Sequence, residues 1–359
     1  MNSKGANPIP REIQGKKGME ATKRFKKFID RSKRPVITAH IRLDGDALGS
    51  ELAFYHALKD MGKEPCIVND SSIPRVYKFL VRDVDVMHWN SDTEAALSAR
   101  GETYGFDLAI VADTPVTDRV GGVRKIVSSG IPVINIDHHL CSDEYGDLNI
   151  VETEKCSTGE IVFDLYRSLG IEITSRIAEA LYVAIVTDTG RFMHRNTTSN
   201  TLRMAAELID CGADPTDIGQ KLYKANTYGY IQLHSMATKT LSFHYEKKIA
   251  CMWLTREMMR QAKMPPIDTQ DFADVPSSIE GVEVSVLLRE LGEKNQVKVS
   301  LRSRDSIDVN KIASGFGGGG HRRASGCELE GSIQEVQDRV VEVVIKAFES
   351  LKREEKILA

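Results

Sequence analysis

Asp137-His138-His139 follows directly on the apolar run Ile131-Pro132-Val133-Ile134-Asn135-Ile136, so a carboxylate and two imidazoles arrive together at the end of a segment that reads as a buried strand. Such groups persist in apolar surroundings when they are paired or coordinate a metal, and open α/β sheets bind ligands at the carboxyl ends of their parallel strands. The tripeptide therefore points to a metal site. His40-Ile41-Arg42-Leu43-Asp44-Gly45-Asp46 repeats the placement, beginning where a first strand ends and finishing where a first helix begins. Its spacing sets three ligand candidates, His40, Asp44 and Asp46, on one tight loop, with Gly45 expected to turn the backbone so that the two acids point to different sides. Asp113 ends a further strand, Asp107-Leu108-Ala109-Ile110-Val111-Ala112, and Asp188 follows an apolar helix ending in Ala184-Ile185-Val186-Thr187.

Taken singly, each of these has an ordinary explanation: an Asp after a strand caps a helix, and a His is satisfied in a core. Their shared position at element ends argues for one site. Four carboxylates in one crevice repel one another and would be largely protonated unless cations balanced them, and two divalent ions suffice. Mixed oxygen and imidazole donors suit Mn²⁺, Co²⁺ or Zn²⁺ better than Mg²⁺; without thiolates Mn²⁺ is expected first, with Co²⁺ or Mg²⁺ as substitutes. Two metals about 4 Å apart are a recurrent solution for phosphoester hydrolysis. Asp83, Asp85, Asp92 and Asp118 lack this placement and read as surface residues.

From Pro35 the chain alternates strand-like runs (35–39, 65–68, 108–112, 132–136) with helical patterns (47–61, 158–169, 175–186, 199–211), which predicts α/β architecture with a doubly wound parallel sheet. Residues 214–236 read as a polar helical linker. Beyond it come two hairpins (241–255 and 282–302, the second turning at Gly292-Glu293-Lys294-Asn295), a short helix (309–316), a glycine cluster, a strand near Cys327 and an amphipathic helix (332–352), predicting a smaller α+β domain over 237–359. A basic tail, 1–20, precedes a first domain at 21–213.

At 359 residues, 41% hydrophobic and 28% charged, the chain can bury two cores. No run approaches the roughly eighteen apolar residues of a membrane span, and the start lacks a secretion signal's apolar core, so a cytoplasmic protein with no membrane partner is expected. The six cysteines are scattered without paired spacing, as reduced packing thiols would be. A net charge of −3 excludes a generic polyanion binder. The basic run Lys16 to Arg34 fits a solvated helix face and would also steer a nucleic-acid substrate.

Together these residues resemble the DHH phosphoesterases with a C-terminal DHHA1 domain, and among them the NrnA-like oligoribonucleases and pAp phosphatases. The resemblance runs from about Lys23 to Leu351. It rests on His40 to Asp46 continuing into Ala47-Leu48-Gly49-Ser50, on Asp113, on Asp137-His138-His139, on Asp188-Thr189-Gly190-Arg191-Phe192 and on Gly318-Gly319-Gly320-His321-Arg322-Arg323-Ala324-Ser325-Gly326. It implies one Mn²⁺ on His40, Asp44 and Asp113 and another on Asp46, Asp113, His138 and Asp188, with Asp113 bridging. His139 would face the substrate, Asp137 would orient the imidazoles, and Arg191 would contact phosphate. Glycines without Cβ let backbone N–H groups close around an anion, and His321 and Arg322 add charge beside Gly318, Gly319 and Gly320. In the family this loop and the residue matching Arg302 hold the terminal nucleotide; Ser300 and Arg304 are weaker candidates.

The expected activity is hydrolysis of short RNA or DNA oligonucleotides to mononucleotides and removal of the 3′-phosphate of pAp. The alternative within the class is a phosphodiesterase acting on cyclic-di-AMP or linear dinucleotides such as pApA, and from another class a non-catalytic nucleotide sensor. A family II pyrophosphatase would lack the Gly318 to Gly326 pattern. The resemblance also implies a homodimer.

Overall fold

The computed structural model describes residues 16–224, 226–264, 272–292, 295–304 and 307–358, divided between two compact units, Met1–Ala225 and Asn226–Ala359. Of the stretch expected as a tail, residues 1–15 lie outside those described. From Lys16 the chain is helical: α1 (Lys16–Arg31) buries Phe25 and Ile29 and leaves Lys23, Arg24, Lys26, Lys27 and Arg31 exposed.

In the first unit β1 (Pro35–Thr38), β2 (Cys66–Asn69), β3 (Val86–His88), β4 (Leu108–Ala112), β5 (Val133–Asp137) and β6 (Leu148–Val151) form a parallel sheet in the order β3-β2-β1-β4-β5-β6. The two edge strands are only partly buried and mix polar with apolar residues, so they lack the continuous apolar run that marks the inner strands. The helices are α2 (Gly45–Asp60), α3 (Ser91–Ser98), α4 (Arg124–Val127), α5 (Thr158–Leu169), α6 (Ser175–Asp188), α7 (Ser199–Asp210) and α8 (Pro215–Tyr223). Every residue of β1, β4 and β5 is buried because both sheet faces are covered. Ile37, Ile67, Leu108, Ile110, Ile134 and Ile136 turn to the α2, α5 and α6 side, while Val36, Val68, Ala109, Val111 and Val133 join Trp89, Phe106 and Ile126 on the other.

Helices α2 and α6 approach to backbone contact. A Cβ on Gly49 would lie 2.4 Å from the Ala180 carbonyl oxygen, and one on Gly45 would lie 2.3 Å from Thr187 Oγ1. The turning freedom expected of Gly45 is therefore not what the position uses: it is the first residue of α2, with no positive φ, and its missing side chain makes room for Thr187.

The stretch expected to join the domains is divided between them. Helix α8 buries Ile218 and Leu222 in the first core, whereas α9 (Tyr228–Thr238) buries Leu233 and Ala237 in the second unit. There β7 (Ser242–His244), β8 (Ile249–Leu254), β9 (Val284–Leu291), β10 (Gln296–Ser303), β11 (Gly319–His321) and β12 (Ala324–Glu330) form a sheet in the order β11-β12-β10-β9-β8-β7. The two expected hairpins pair internally as antiparallel strands and meet through parallel β8 and β9; residues 293 and 294 of the second turn lie outside those described. One face packs Val286, Val299 and Cys327 against α12 (Val309–Gly315) and α13 (Ile333–Leu358); the other lays Met252, Leu254 and Leu287 beneath α9, α10 (Arg256–Gln261) and Phe272, near α11 (Asp274–Ser277). All six cysteines are free, and no described helix is long and apolar enough to cross a membrane.

The α2/α6 contact makes a direct prediction. Gly49→Ala forces backbone apart and is expected to cost about 1–3 kcal/mol, the usual penalty for overpacking. A urea midpoint equal to the parent's, at unchanged slope, would show that these helices separate freely.

Candidate metal centre

The chain leaves β1 and β4 toward opposite ends of the sheet, so their carboxyl ends border the crevice where doubly wound sheets bind ligands. His40 follows β1, Asp113 follows β4, and Asp137-His138-His139 closes β5. The His40 loop is pinned by Ile41 N–H donating to the Arg119 carbonyl at 2.6 Å and Arg42 N–H donating to Ser71 Oγ at 2.7 Å. Asp44 is both helix cap and site residue. Its Oδ1 accepts from the amides of Asp46 (3.1 Å) and Ala47 (3.0 Å), leaving Oδ2 3.6 Å from His40 Nε2.

Asp113 stands at the middle. Its φ of 52° is left-handed, uncommon for residues other than glycine although Asp tolerates it better than most, and the Asp113 N–H bond to the Ile136 carbonyl (2.9 Å) helps to hold it. Oδ2 lies 3.3 Å from His40 Nε2, and Oδ1 lies 3.5 Å from His138 Nε2 and 3.6 Å from His139 Nδ1. His138 Nε2 is also 3.7 Å from Asp46 and 3.8 Å from Asp188. All six ligand candidates thus converge, in the groups His40/Asp44/Asp113 and Asp46/His138/Asp188, with Asp113/His138/His139 as a third; within each, the donor atoms lie within 4.8 Å of one another. The fully buried Asp137 accepts from His139 Nδ1 at 2.7 Å, but His138 Nδ1 meets the Lys155 carbonyl at 3.3 Å. Asp137 therefore orients one imidazole rather than the expected two.

The donor chemistry fits divalent cations. Burial, aided by the negative charge of Asp113, pushes the Asp46 and Asp188 carboxyls well above the usual range. Asp113 overcomes its own burial through His40, His139 and His138 and is held below it, as is Asp44 by His40. Burial works against a charged His40, yet its bonds to Asp113 and Asp44 raise it to about 10. Raised carboxyl and imidazole pKa values are what a site loses when cations take the place of protons, so these shifts suit cation binding.

Several supporting residues carried no signal in the sequence. Glu51 is wholly buried on α2, its carboxyl pushed up to about 8 by burial, and Asn69 Nδ2 donates to its Oε2 at 2.9 Å. Asn69 Oδ1 accepts in turn from Thr38 Oγ1 and Ala39 N–H, both at 3.3 Å, steadying the strand end that delivers His40. Asn196 Nδ2 donates to the Asp188 carbonyl at 3.2 Å. An amide far along the chain has no spacing that marks it.

Arg191 is exposed and left-handed, its guanidinium 3.8 Å from the centre of the Tyr223 ring. In the second unit the glycine cluster runs into β11 rather than remaining a loop. Gly319 pairs with Gly326, and one row of the sheet carries Arg302, Ala324 and His321 in succession. A Cβ on Gly318 would lie 2.2 Å from the Gly326 carbonyl, so glycine is needed there for close approach to β12. Arg302 Nε lies 3.4 Å from Asp274 Oδ1, Arg304 donates to the carbonyls of Ser277 and Ile279, and Arg322 is exposed. The side chain of His321 lies outside those described.

Residues 34–185 match the DHH family, N-terminal domain, and residues 246–350 match the DHHA1 domain. The bifunctional oligoribonuclease and PAP phosphatase NrnA of Thermus thermophilus is 36% identical over 309 residues, 86% of this chain and 88% of that protein. Its namesake in Bacillus subtilis is 28% identical over 299 residues, 82% and 88% of the respective chains. Among solved structures, an exopolyphosphatase-related protein from Bacteroides fragilis gives a TM-score of 0.83 at 28% identity, with 94% of this chain and 98% of that one covered. RecJ of Thermus thermophilus in complex with Mn²⁺ gives 0.55 at 14% identity, covering 96% and 56%, a likeness of fold alone.

The titration of the site fixes the sign of a pH effect. His40, Asp46 and Asp188 have folded pKa values above their unfolded ones, so their stabilisation is complete below the unfolded values and is lost as pH rises through the folded ones. Asp44 and Asp113 have the opposite sign, but theirs is already complete above the ordinary Asp range. Mn²⁺ should therefore raise the thermal midpoint more at about pH 7.5 than at about pH 5.5, by about 5 °C for each proton displaced, at ~1.4 kcal/mol per pH unit. A cation-induced shift independent of pH would refute this protonation pattern.

Proposed function

Since the chain belongs to the DHH family and carries a DHHA1 domain, we propose that it is a divalent-metal phosphoesterase that hydrolyses short oligoribonucleotides to mononucleotides and removes the 3′-phosphate of pAp. The observation that carries this reading is the division of one carboxylate between two donor groups: Asp113 turns Oδ2 to His40 and Oδ1 to His138. The names borne by the Thermus and Bacillus relatives support the substrate class.

In this reading His40, Asp44 and Asp113 hold one Mn²⁺, and Asp46, Asp113, His138 and Asp188 hold the other, with Co²⁺ or Mg²⁺ as substitutes. Such cations, when bound, supply the positive charge that offsets a phosphate's oxygens and lower the cost of deprotonating water. The remaining steps belong to side chains. Asp137 accepts from His139 Nδ1 and so leaves Nε2 as the nitrogen that donates a proton to the departing oxygen. Arg191, stacked on Tyr223, offers its N–H edge to a phosphate. In the second unit Arg302, the Gly318 to Gly320 backbone, His321 and Arg322 bind the far nucleotide. The working domains are 21–213 for catalysis and 237–359 for substrate.

The test is turnover with Mn²⁺ on a 5′-labelled dinucleotide and pentanucleotide, pAp, pApA, cyclic-di-AMP and pyrophosphate in parallel. Mononucleotides from the oligomers and AMP from pAp are expected; tight nucleotide binding with no turnover on any would replace the enzyme by a sensor. Asp113→Ala should lower kcat at least about a hundredfold, beyond the ~10–100-fold typical of groups that only support ligands, with the fold retained. Arg302→Ala should instead raise KM about tenfold or more at similar kcat, as loss of a hydrogen bond to a charged group does. A kcat defect at unchanged KM would remove Arg302 from substrate binding.

A further inference from the structure

Residues 155–159 run from the end of the β6–α5 connection into the first turn of α5, and they touch three of the six ligand candidates directly and a fourth, Asp188, through Asn196. The Lys155 carbonyl meets His138 Nδ1 at 3.3 Å. The Cys156 carbonyl accepts from Asn196 Nδ2 at 3.0 Å, and the same amide reaches the Asp188 carbonyl at 3.2 Å. Thr158 N–H donates to Asp46 Oδ2 at 2.7 Å and Gly159 N–H to Asp46 Oδ1 at 2.9 Å. Thr158 Oγ1 donates to Asp113 Oδ1 at 3.0 Å, and Thr158 is wholly buried. The segment is itself anchored: Lys155 Nζ is paired with Asp164 (2.5 Å) and Glu160 (3.3 Å), and Ser157 Oγ caps α5 by accepting from Glu160 N–H at 3.1 Å.

We propose that Thr158 is a positioning residue whose hydroxyl sets the Asp113 carboxylate between the two cation sites and so couples their occupancy; this rests on the two-metal reading of the site. The rotation of a carboxylate about its last bond is broad and soft, so packing alone does not orient Asp113. On the Oδ2 side His40 stands at 3.3 Å. On the Oδ1 side the imidazoles stand back at 3.5 and 3.6 Å, and the Thr158 hydroxyl is the donor at hydrogen-bond distance. An oxygen that accepts from one hydroxyl keeps a second lone pair for a cation. Without that bond the carboxylate can turn about its last bond and carry Oδ1 out of line with His138, leaving that side short of a ligand. The amides of Thr158 and Gly159 meanwhile hold Asp46, so a single helix start aligns a ligand candidate of one site with the carboxylate the two sites share.

Thr158→Val removes the hydroxyl and keeps the shape; Thr158→Ser keeps the hydroxyl. With Mn²⁺ alone as probe, calorimetry counts and ranks the sites, and electron paramagnetic resonance reports whether two ions are exchange-coupled. Parent and Thr158→Ser are expected to bind two Mn²⁺ with a coupled signal. Thr158→Val should bind the second ion about 10- to 100-fold more weakly and show only an isolated-ion signal when the ions are limiting. A parent-like isotherm and coupled signal in Thr158→Val would overturn the proposal, as would equal loss in Thr158→Ser, which would make packing the cause. A parent protein that binds no Mn²⁺ pair would defeat the two-metal reading instead. Thr158→Ala reads the same isotherm should the Val variant not fold.

Discussion

Three carboxylates, those of Asp46, Asp113 and Asp137, are buried at the carboxyl edge of the first sheet, with Asp44 and Asp188 at the rim. Among the described residues, three imidazoles face them, those of His40, His138 and His139. Removing that much negative charge from water is unfavourable, and without cations burial and mutual repulsion push the Asp46 and Asp188 carboxyls up while Asp113 and Asp44 raise His40. The surrounding architecture holds these groups together against their repulsion, and that strained balance is what makes the crevice receptive to divalent cations.

Two packing devices keep the carboxylates near one another. Gly45 and Gly49 bring α2 against α6 at backbone distance, which sets Asp46 at the start of one helix beside Asp188 at the end of the other. The start of α5 then reaches between them and supplies amides to Asp46 and a hydroxyl to Asp113. Asp113 accepts a left-handed backbone in order to stand between the two donor groups. A conformation that costs of order 1–3 kcal/mol persists only where its surroundings determine it.

Much of this was legible in the sequence. The apolar runs of β1, β4 and β5 could be read because strands covered on both faces carry no polar alternation, and the acids and imidazoles could be read because they interrupt those runs at their ends. Edge strands β3 and β6 are only partly buried and carry polar residues among the apolar ones, so no such run marked them. Gly45 was legible as necessary but for the wrong reason: its neighbour Thr187 comes from a helix more than a hundred residues away, and a turn was the only local explanation on offer. The polar stretch after Asp214 read as one linker, yet its apolar residues belong to two cores, a division that spacing along one helix cannot reveal.

By itself the sequence determined which side chains gather at the crevice, because strand ends in a parallel sheet all open on one edge. It also determined the α/β and α+β order of the two domains, because periodicity switches from helical to alternating near Leu241. Only the tertiary structure decided which oxygen of Asp113 faces which imidazole, that Asp137 supports His139 while a backbone carbonyl supports His138, and that residues 155–159 brace the site. Those choices depend on distances of about 3 Å between segments far apart in the chain, and the hydrogen bonds that make them leave no periodic trace in either segment.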